Sequence, residues 1–325
     1  MLTVAEVKAR TCKERDSWWT VLLVDPVAVR LTRVLAGVRW ITPNRITLTA
    51  FTIGLVAAVC FSRATAGWLV AGAALYYVSF LLDCVDGKIA RLNGTGSIFG
   101  MWLDYIFDHV RIITCVAALF GGQYAATKNV AYLIVGAGAL VLELFHYVNS
   151  QEIFQINTEM RTRLEARRAE AGLVSAVDEA EAAKRPGNRS IMQLTGNDRG
   201  LFGRVRGWLR RSRIRPHLVG GIEFQMALLI VAPLAGAILG RGAVIGVSVT
   251  AAALMILFEL AVIFMVYRAA RTVTGQIAAI RLPVQQSDAL AFTGGFATVH
   301  PVEQRQSHAP IHPRASEDEA GRTRT

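Results

Sequence analysis

Four aspartates carry the chemistry this sequence most clearly offers. Asp83 and Asp86 are three residues apart, and Asp104 and Asp108 are four apart. In a helix, either spacing puts both carboxylates of a pair on one face. The link between the pairs holds Gly94, Gly96 and Ser97, which suit a tight connection. Two neighbouring antiparallel helices would then bring the four acids into one pocket. Four carboxylates that close repel one another and cannot all stay ionised unaided. Divalent cations resolve the conflict, and an all-oxygen donor set favours Mg²⁺ or Mn²⁺ over zinc. Two such ions would suit phosphoryl chemistry, in which attacking and leaving oxygens must both be held. Gly87 and Ala90 follow Asp86, and Gly100 lies one turn before Asp104. Small residues there let a ligand or the partner helix approach closely. Helix packing alone would explain the small residues, but not the four acids. Arg91 is placed to reach a phosphate. Lys88, His109 and Arg111 are candidates either for a phosphorylated acceptor or for lipid headgroups.

The elements that position these residues are long and apolar. Hydrophobic residues make up 53% of the chain, which alone separates no classes. Their gathering into blocks around 46–62, 67–82, 110–121, 130–148, 222–240 and 243–267 does. About 20 apolar residues cross a bilayer core of about 30 Å as a helix. The expected fold is therefore all-α: a polytopic membrane protein of six transmembrane helices with an N-terminal interfacial amphipathic helix. Thr42-Pro43-Asn44 opens the first span, Pro being tolerated in a first helical turn. The second span ends on Asp83, Asp86, Lys88 and Arg91, and the third begins on Asp104, Asp108 and Arg111. Ahead of the spans, Val27, Leu31, Val34, Leu35 and Val38 can share one face of a helix lying in the membrane plane.

Charge orients the bundle. Residues 157–216 carry fourteen Lys and Arg against seven Asp and Glu, while the loops near Arg63, Lys128 and Arg241 hold one basic residue each. The positive-inside bias makes the long segment cytoplasmic. Both termini and the aspartates then also lie on the cytoplasmic side of a bacterial-type inner membrane. The net charge of +11 sits beside the spans, so anionic membrane lipid is the expected partner rather than nucleic acid. The expected organisation is a cytoplasmic N-terminus and interfacial helix at 1–40, helices one to four with the acidic motif at 41–156, a basic cytoplasmic segment at 157–216, helices five and six at 217–270, and a largely disordered cytoplasmic tail at 271–325. The charged residues within 1–20 do not suit a cleavable signal peptide. Cys12, Cys60, Cys84 and Cys115 show no paired spacing and read as small buried hydrophobes.

The string Asp83-x-x-Asp86-Gly87-x-x-Ala90-Arg91, eight residues, then Gly100-x-x-x-Asp104-x-x-x-Asp108 resembles the signature of the CDP-alcohol phosphotransferase (CDP-alcohol phosphatidyltransferase) family at all eight positions. The resemblance covers about residues 40–270. It implies a CDP-linked donor, an alcohol acceptor, a phosphodiester product and released CMP. It makes Asp83, Asp86 and Asp104 metal ligands, and Asp108 the general base and a further ligand. It puts Gly87 and Ala90 against the cytidine nucleotide and Arg91, with Gly100, near the donor. It also implies a homodimer.

The motif does not say which substrate carries the lipid. CDP-diacylglycerol with a soluble acceptor is the leading reading for phospholipid synthesis; a soluble CDP-alcohol with a lipid acceptor is the alternative. On the fourth span, Glu143, His146, Tyr147 and Ser150 can share a face, so Glu143 and His146 join Lys88, His109 and Arg111 as candidate acceptor contacts. Interhelical hydrogen bonding is the competing explanation, for these and for Glu223 and Glu259. A transporter or a non-catalytic membrane scaffold would also bury acids, yet neither needs this spacing at one membrane edge.

Overall fold

The structure, a computed structural model, describes residues 3–38, 40–172, 213–215 and 219–280. Eight helices organise these residues: α1 (Val4–Thr11), α2 (Asp25–Leu35), α3 (Pro43–Ser62), α4 (Ala66–Asn93), α5 (Ile98–Thr127), α6 (Ala131–Glu170), α7 (Gly221–Leu239) and α8 (Gly242–Ala279). The described residues include no named strand; an isolated bridge joins Asp16 to Ile214. Local sequence sets several boundaries. Thr3 and Glu6 form a reciprocal capping box at the start of α1. Extended Thr42 precedes Pro43, whose missing N–H has no partner to lose in the first turn of α3. A π-helical turn, Ala227–Val231, precedes Pro233 in α7 and takes up the break that the proline imposes on the hydrogen-bond ladder.

The join between α4 and α5 matters most for the acids. Gly94 ends α4 in the left-handed region at φ +63°, which glycine adopts without strain, and Thr95 N–H donates to Ala90 C=O at 3.1 Å. Ser97 then caps α5, its Oγ accepting from Gly100 N–H at 2.9 Å. Four residues thus reverse the chain, so the last turns of α4 lie beside the first turns of α5.

Five helices, α3, α4, α6, α7 and α8, are long and apolar enough to cross a membrane. Together they have the lengths and composition of a multi-pass integral membrane protein. The remaining expected span is α5. It is 30 residues long, carries Asp104, Asp108 and Arg111 in its first half, and is not among the five. The main core lies where α3, α4, α5 and α7 meet, around Phe61, Tyr76, Leu119, Phe120 and Leu229. Between 44% and 50% of the apolar windows of α3, α4 and α7 is buried, against 17% for α6 and 11% for α8, so these last two present most of their surface outward.

Helix ends differ from span ends. Helix α6 has 40 residues and α8 has 38, lengths of roughly 60 and 57 Å at 1.5 Å per residue. Both are about twice the hydrocarbon thickness. The expected boundaries at 156/157 and 270/271 therefore fall inside continuous helices. Helix α6 itself carries the chain into the basic segment, as far as Glu170. The rest of the basic segment from 173 to 212, and the tail beyond 280, lie outside the described residues. In α2, Asp25, Ala28, Val29 and Thr32 are buried against the bundle, while Val27, Val34 and Val38 remain exposed. Protein thus leaves most of the expected apolar face uncovered. Cys60 and Cys115 are buried, Cys12 and Cys84 partly so, and all four are free thiols.

Candidate active site

Along α4, Tyr76, Ser79, Asp83 and Asp86 recur at helical spacing, and α5 contributes Asp104, Asp108 and Arg111. The α4–α5 turn brings three of the acids together. Asp83, Asp104 and Asp108 each present a carboxylate oxygen, and these oxygens lie within 4.8 Å of one another. Asp86 stands apart from the trio. Three residues on from Asp83, its side chain turns toward α3, where it is 4% exposed and accepts a hydrogen bond from Thr47 Oγ1. It stays within Coulombic reach of Asp83 and Asp104. The expected cluster of four is thus three plus one in this structure.

Arg111 neutralises part of the trio. Its Nη2 lies 2.5 Å from Asp108 Oδ1, and its Nη1 lies 3.4 Å from Asp83 Oδ1 and donates to Ser79 Oγ at 3.1 Å. The residue is 2% exposed, with the guanidinium 5.9 Å from the Tyr76 ring. Its stem runs over Gly54 of α3, where a Cβ would come within 2.5 Å of Arg111 Cδ. Glycine at 54 is what lets the arginine reach both acids. Arg111 is therefore tied into the acid cluster, whichever ligand role it has.

The other candidate cations are engaged elsewhere. Lys88 is 4% exposed and pairs with Asp25 of α2 at 2.8 Å; Arg213 reaches the other oxygen of Asp25 at 3.2 Å. Arg91 donates from Nε to Thr11 C=O at 2.7 Å, and its guanidinium passes back over Gly87. Gly100 faces Ser97 and Asn44; an added Cβ would stand 3.0 Å from Ser97 Oγ and 3.3 Å from Asn44 Oδ1, so its small size serves the approach of α5 to the start of α3. Ala90 is half-buried.

The polar face of α6 divides in two. Tyr147 turns toward α5 and packs with Tyr105 and His109, at ring-centroid distances of 5.1 and 4.4 Å. Glu143, one turn earlier, has a buried Oε2 and lies within Coulombic reach of Tyr76. His146 and Asn149 turn instead toward α8, and both bind the carboxylate of buried Glu259. His146 and Glu259 thus serve the α6–α8 seam, and the structure does not bring His146 to the acidic trio.

A divalent cation fits the chemistry of the trio. The donors are all hard carboxylate oxygens, and Asp104 Oδ1 is buried with no hydrogen-bond partner among the described residues. Buried polar atoms are nearly always satisfied, so such an orphan calls for a partner. Thr47, Ser79, Tyr76 and Asp25 were not anticipated from sequence. Polar side chains recurring at Tyr76, Ser79 and Asp83 along an apolar helix were a usable signal; the pairing of Asp25 with Lys88, 63 positions apart, left none.

A helical, multi-pass membrane protein with a carboxylate trio at the turn between two packed helices is the class that fold and site define. Comparison with known proteins narrows it. Residues 40–171 match the CDP-alcohol phosphatidyltransferase family model, and this part of the chain is a domain of that family. Among curated proteins, a phosphatidylinositol phosphate synthase from Corynebacterium glutamicum is 32% identical over 100 residues, which are 31% of this chain and 41% of that protein. The chain thus matches about two fifths of that relative's length.

Proposed function

We propose that this protein transfers a substituted phosphoryl group from a CDP-linked donor to an alcohol, in phospholipid synthesis at the cytoplasmic face of a bacterial inner membrane. The observation that carries the reading is the Asp83–Asp104–Asp108 trio at the α4–α5 turn, inside a segment that matches the family model. In the balanced reaction, the acceptor hydroxyl loses its proton, its oxygen forms a new bond to the donor phosphorus, and the P–O bond to CMP breaks, CMP taking the electron pair. Mg²⁺ or Mn²⁺ held by Asp83, Asp104 and Asp108, with Asp86 alongside, would neutralise the donor pyrophosphate and lower the pKa of the attacking hydroxyl.

The chain's own residues do the rest. Asp108 takes the proton; its side chain is 31% exposed, against 15% for Asp83, and so is the more open of these two acids. Arg111 orients Asp108 through the 2.5 Å contact. Gly87 and Ala90 leave room for the nucleotide, and Arg91, lying over Gly87, is the cation for its phosphate.

CDP-diacylglycerol is the donor we favour. An apolar groove of about 490 Å³ lies between α2, α3 and α4, lined by Leu35, Val38, Ile41, Ile46 and Leu82, with Arg45 among them. Leu82 adjoins Asp83, so an acyl chain in the groove would end near the acids. The relative's name, phosphatidylinositol phosphate synthase, supports a phosphatidyl-transferring reaction. α5 completes the six spans in this reading, both termini are cytoplasmic, and α2 lies in the interface on Val27, Val34 and Val38. The outward faces of α6 and α8 suit lipid and a second copy of the chain.

The test is CMP release by purified protein in nanodiscs, with CDP-diacylglycerol, Mg²⁺ or Mn²⁺ and a panel of alcohols. Release that needs metal and an acceptor, and that vanishes in Asp108→Asn, is expected. No release with either donor polarity, from folded protein, would end the enzyme reading.

A further inference from the structure

The chain ahead of the family match reaches the active site. Helix α1 packs against α4, with Val7 and Thr11 fully buried. At its end, Thr11 C=O accepts from Arg91 Nε at 2.7 Å. Two residues on, the carbonyl of Lys13 accepts from Nε and Nη2 of Arg213 at 3.1 and 2.7 Å. Asp16 completes the clamp: its N–H donates to Arg213 C=O and its C=O accepts from Arg215 N–H, both at 2.9 Å. The backbone of Lys13 is therefore fixed on both sides, against α4 through Thr11 and against residues 213–215.

That clamp does not use the side chain of Lys13. It is exposed and lies within Coulombic reach of Asp104, a member of the acidic trio. Among the described residues, the ion pairs around the site are those of Lys88, Arg111, Arg213 and Arg215, and Lys13 has none. An ammonium held near a metal-binding carboxylate, yet outside contact with it, leaves room for an anion between them. Phosphate suits that gap, since one oxygen can meet a cation on the trio while another accepts from the ammonium. A fixed backbone lowers the cost of ordering such a contact. A lysine that only neutralises lipid headgroups needs neither the clamp nor an acid of the site within reach.

We propose that Lys13 is a substrate-binding residue: its ammonium donates to a substrate phosphate lying against the acidic trio, either in the donor pyrophosphate or on a phosphorylated acceptor. The proposal rests on the transferase reading above and adds to it a contact from outside the matched residues 40–171.

The experiment uses the full-length protein in phosphatidylcholine nanodiscs with Mg²⁺. Isothermal titration calorimetry measures binding of CDP, inositol phosphate and glycerol phosphate, and CMP release from CDP-diacylglycerol is followed alongside. Lys13→Gln should weaken binding of CDP or of a phosphorylated alcohol about tenfold, the size of a lost charge-assisted bond. Its Tm should stay that of the wild type, and Lys13→Arg should keep most of the affinity. A loss for CDP assigns the contact to the donor, and a loss for a phosphorylated alcohol assigns it to the acceptor; either upholds the proposal. Unchanged affinity for all three probes in Lys13→Gln, with wild-type CMP release intact, would overturn it and leave the transferase reading standing. Lys8, exposed on the same helix, is the control. An equal loss in Lys8→Gln would show a general field of basic charge and would overturn the proposal too. A wild-type protein that binds no probe and releases no CMP would end both readings.

Discussion

Arg111 Nη2 lies 2.5 Å from Asp108 Oδ1, while the same guanidinium reaches Asp83 of the neighbouring helix at 3.4 Å. One buried cation therefore bridges the two helices that carry the acids. In the absence of metal it is the positive charge in contact with the trio, and a metal bound there would compete with it for the acids.

That competition has a sign. Arg111→Ala leaves Asp83, Asp104 and Asp108 facing one another with no counter-charge in contact. Removing one partner from a buried ion pair costs about 3 kcal/mol or more. In EDTA the variant should melt well below the wild type. Added Mg²⁺ should raise its Tm by more than it raises the wild type's, because the ion no longer has a rival. Thermal unfolding in detergent across a Mg²⁺ titration reads both effects; a variant that melts like the wild type in EDTA would refute the bridging role.

Asp86 allows a separate test. Its carboxylate is 4% exposed and accepts from Thr47 Oγ1. Thr47→Val keeps the shape and deletes the donor, leaving a buried acceptor short of a partner at a cost of about 1–3 kcal/mol. If Asp86 also binds metal, that cost should appear in EDTA and shrink at saturating Mg²⁺. A loss of the same size in both conditions would confine Asp86 to a structural bond with α3.

Much of this was legible before the structure, and the remainder has physical reasons for being hidden. The Asp83/Asp86 and Asp104/Asp108 spacings pointed to one pocket because helical periodicity is local. Three of the four acids meet, while Asp86 turns toward Thr47, since a rotation of about 60° between positions i and i+3 is enough to select another neighbour. The same small rotation separates Glu143, which lies within Coulombic reach of Tyr76 on α4, from His146, which faces Glu259 on α8. Sequence puts both on one broad face and cannot divide it. Hydropathy located the spans but not the ends of α6 and α8, because it marks where hydrocarbon stops and not where hydrogen bonding stops. Lys88 stood within the motif and read as a ligand candidate; its partner Asp25 comes from a helix 63 positions earlier.

The Lys88–Asp25 pair makes its own prediction. Both side chains are about 5% exposed. Asp25→Asn strands the ammonium of Lys88 and should cost about 3–5 kcal/mol. Adding Lys88→Met removes the stranded charge and should recover most of that loss. Arg213, at 22% side-chain exposure, can turn to water when Asp25 is neutral. Thermal melts of the two single variants and the double variant form the cycle. Strict additivity would mean that the 2.8 Å contact contributes nothing. Lys88→Met should also leave the acceptor KM unchanged, since Lys88 is committed to α2.

Gly54 tests whether the position of Arg111, and not only its charge, sets the site. A methyl group at 54 would lie 2.5 Å from Cδ and 2.6 Å from Cγ of Arg111. These carbons are mid-stem in a side chain that is 2% exposed, so the arginine cannot yield by moving its tip alone. Gly54→Ala should therefore pull the guanidinium away from Asp108 without touching any acid. It should reproduce the Arg111→Ala pattern of a lower Tm in EDTA and a larger gain from Mg²⁺. In Arg111→Ala the stem is gone and the added methyl fills part of its space, so Gly54→Ala should then cost little more. Couplings of this kind between contacting residues run to about 0.5–3 kcal/mol. Equal losses from Gly54→Ala in both backgrounds would show that the methyl acts on helix packing between α3 and its neighbours, and the positional argument for Arg111 would fail.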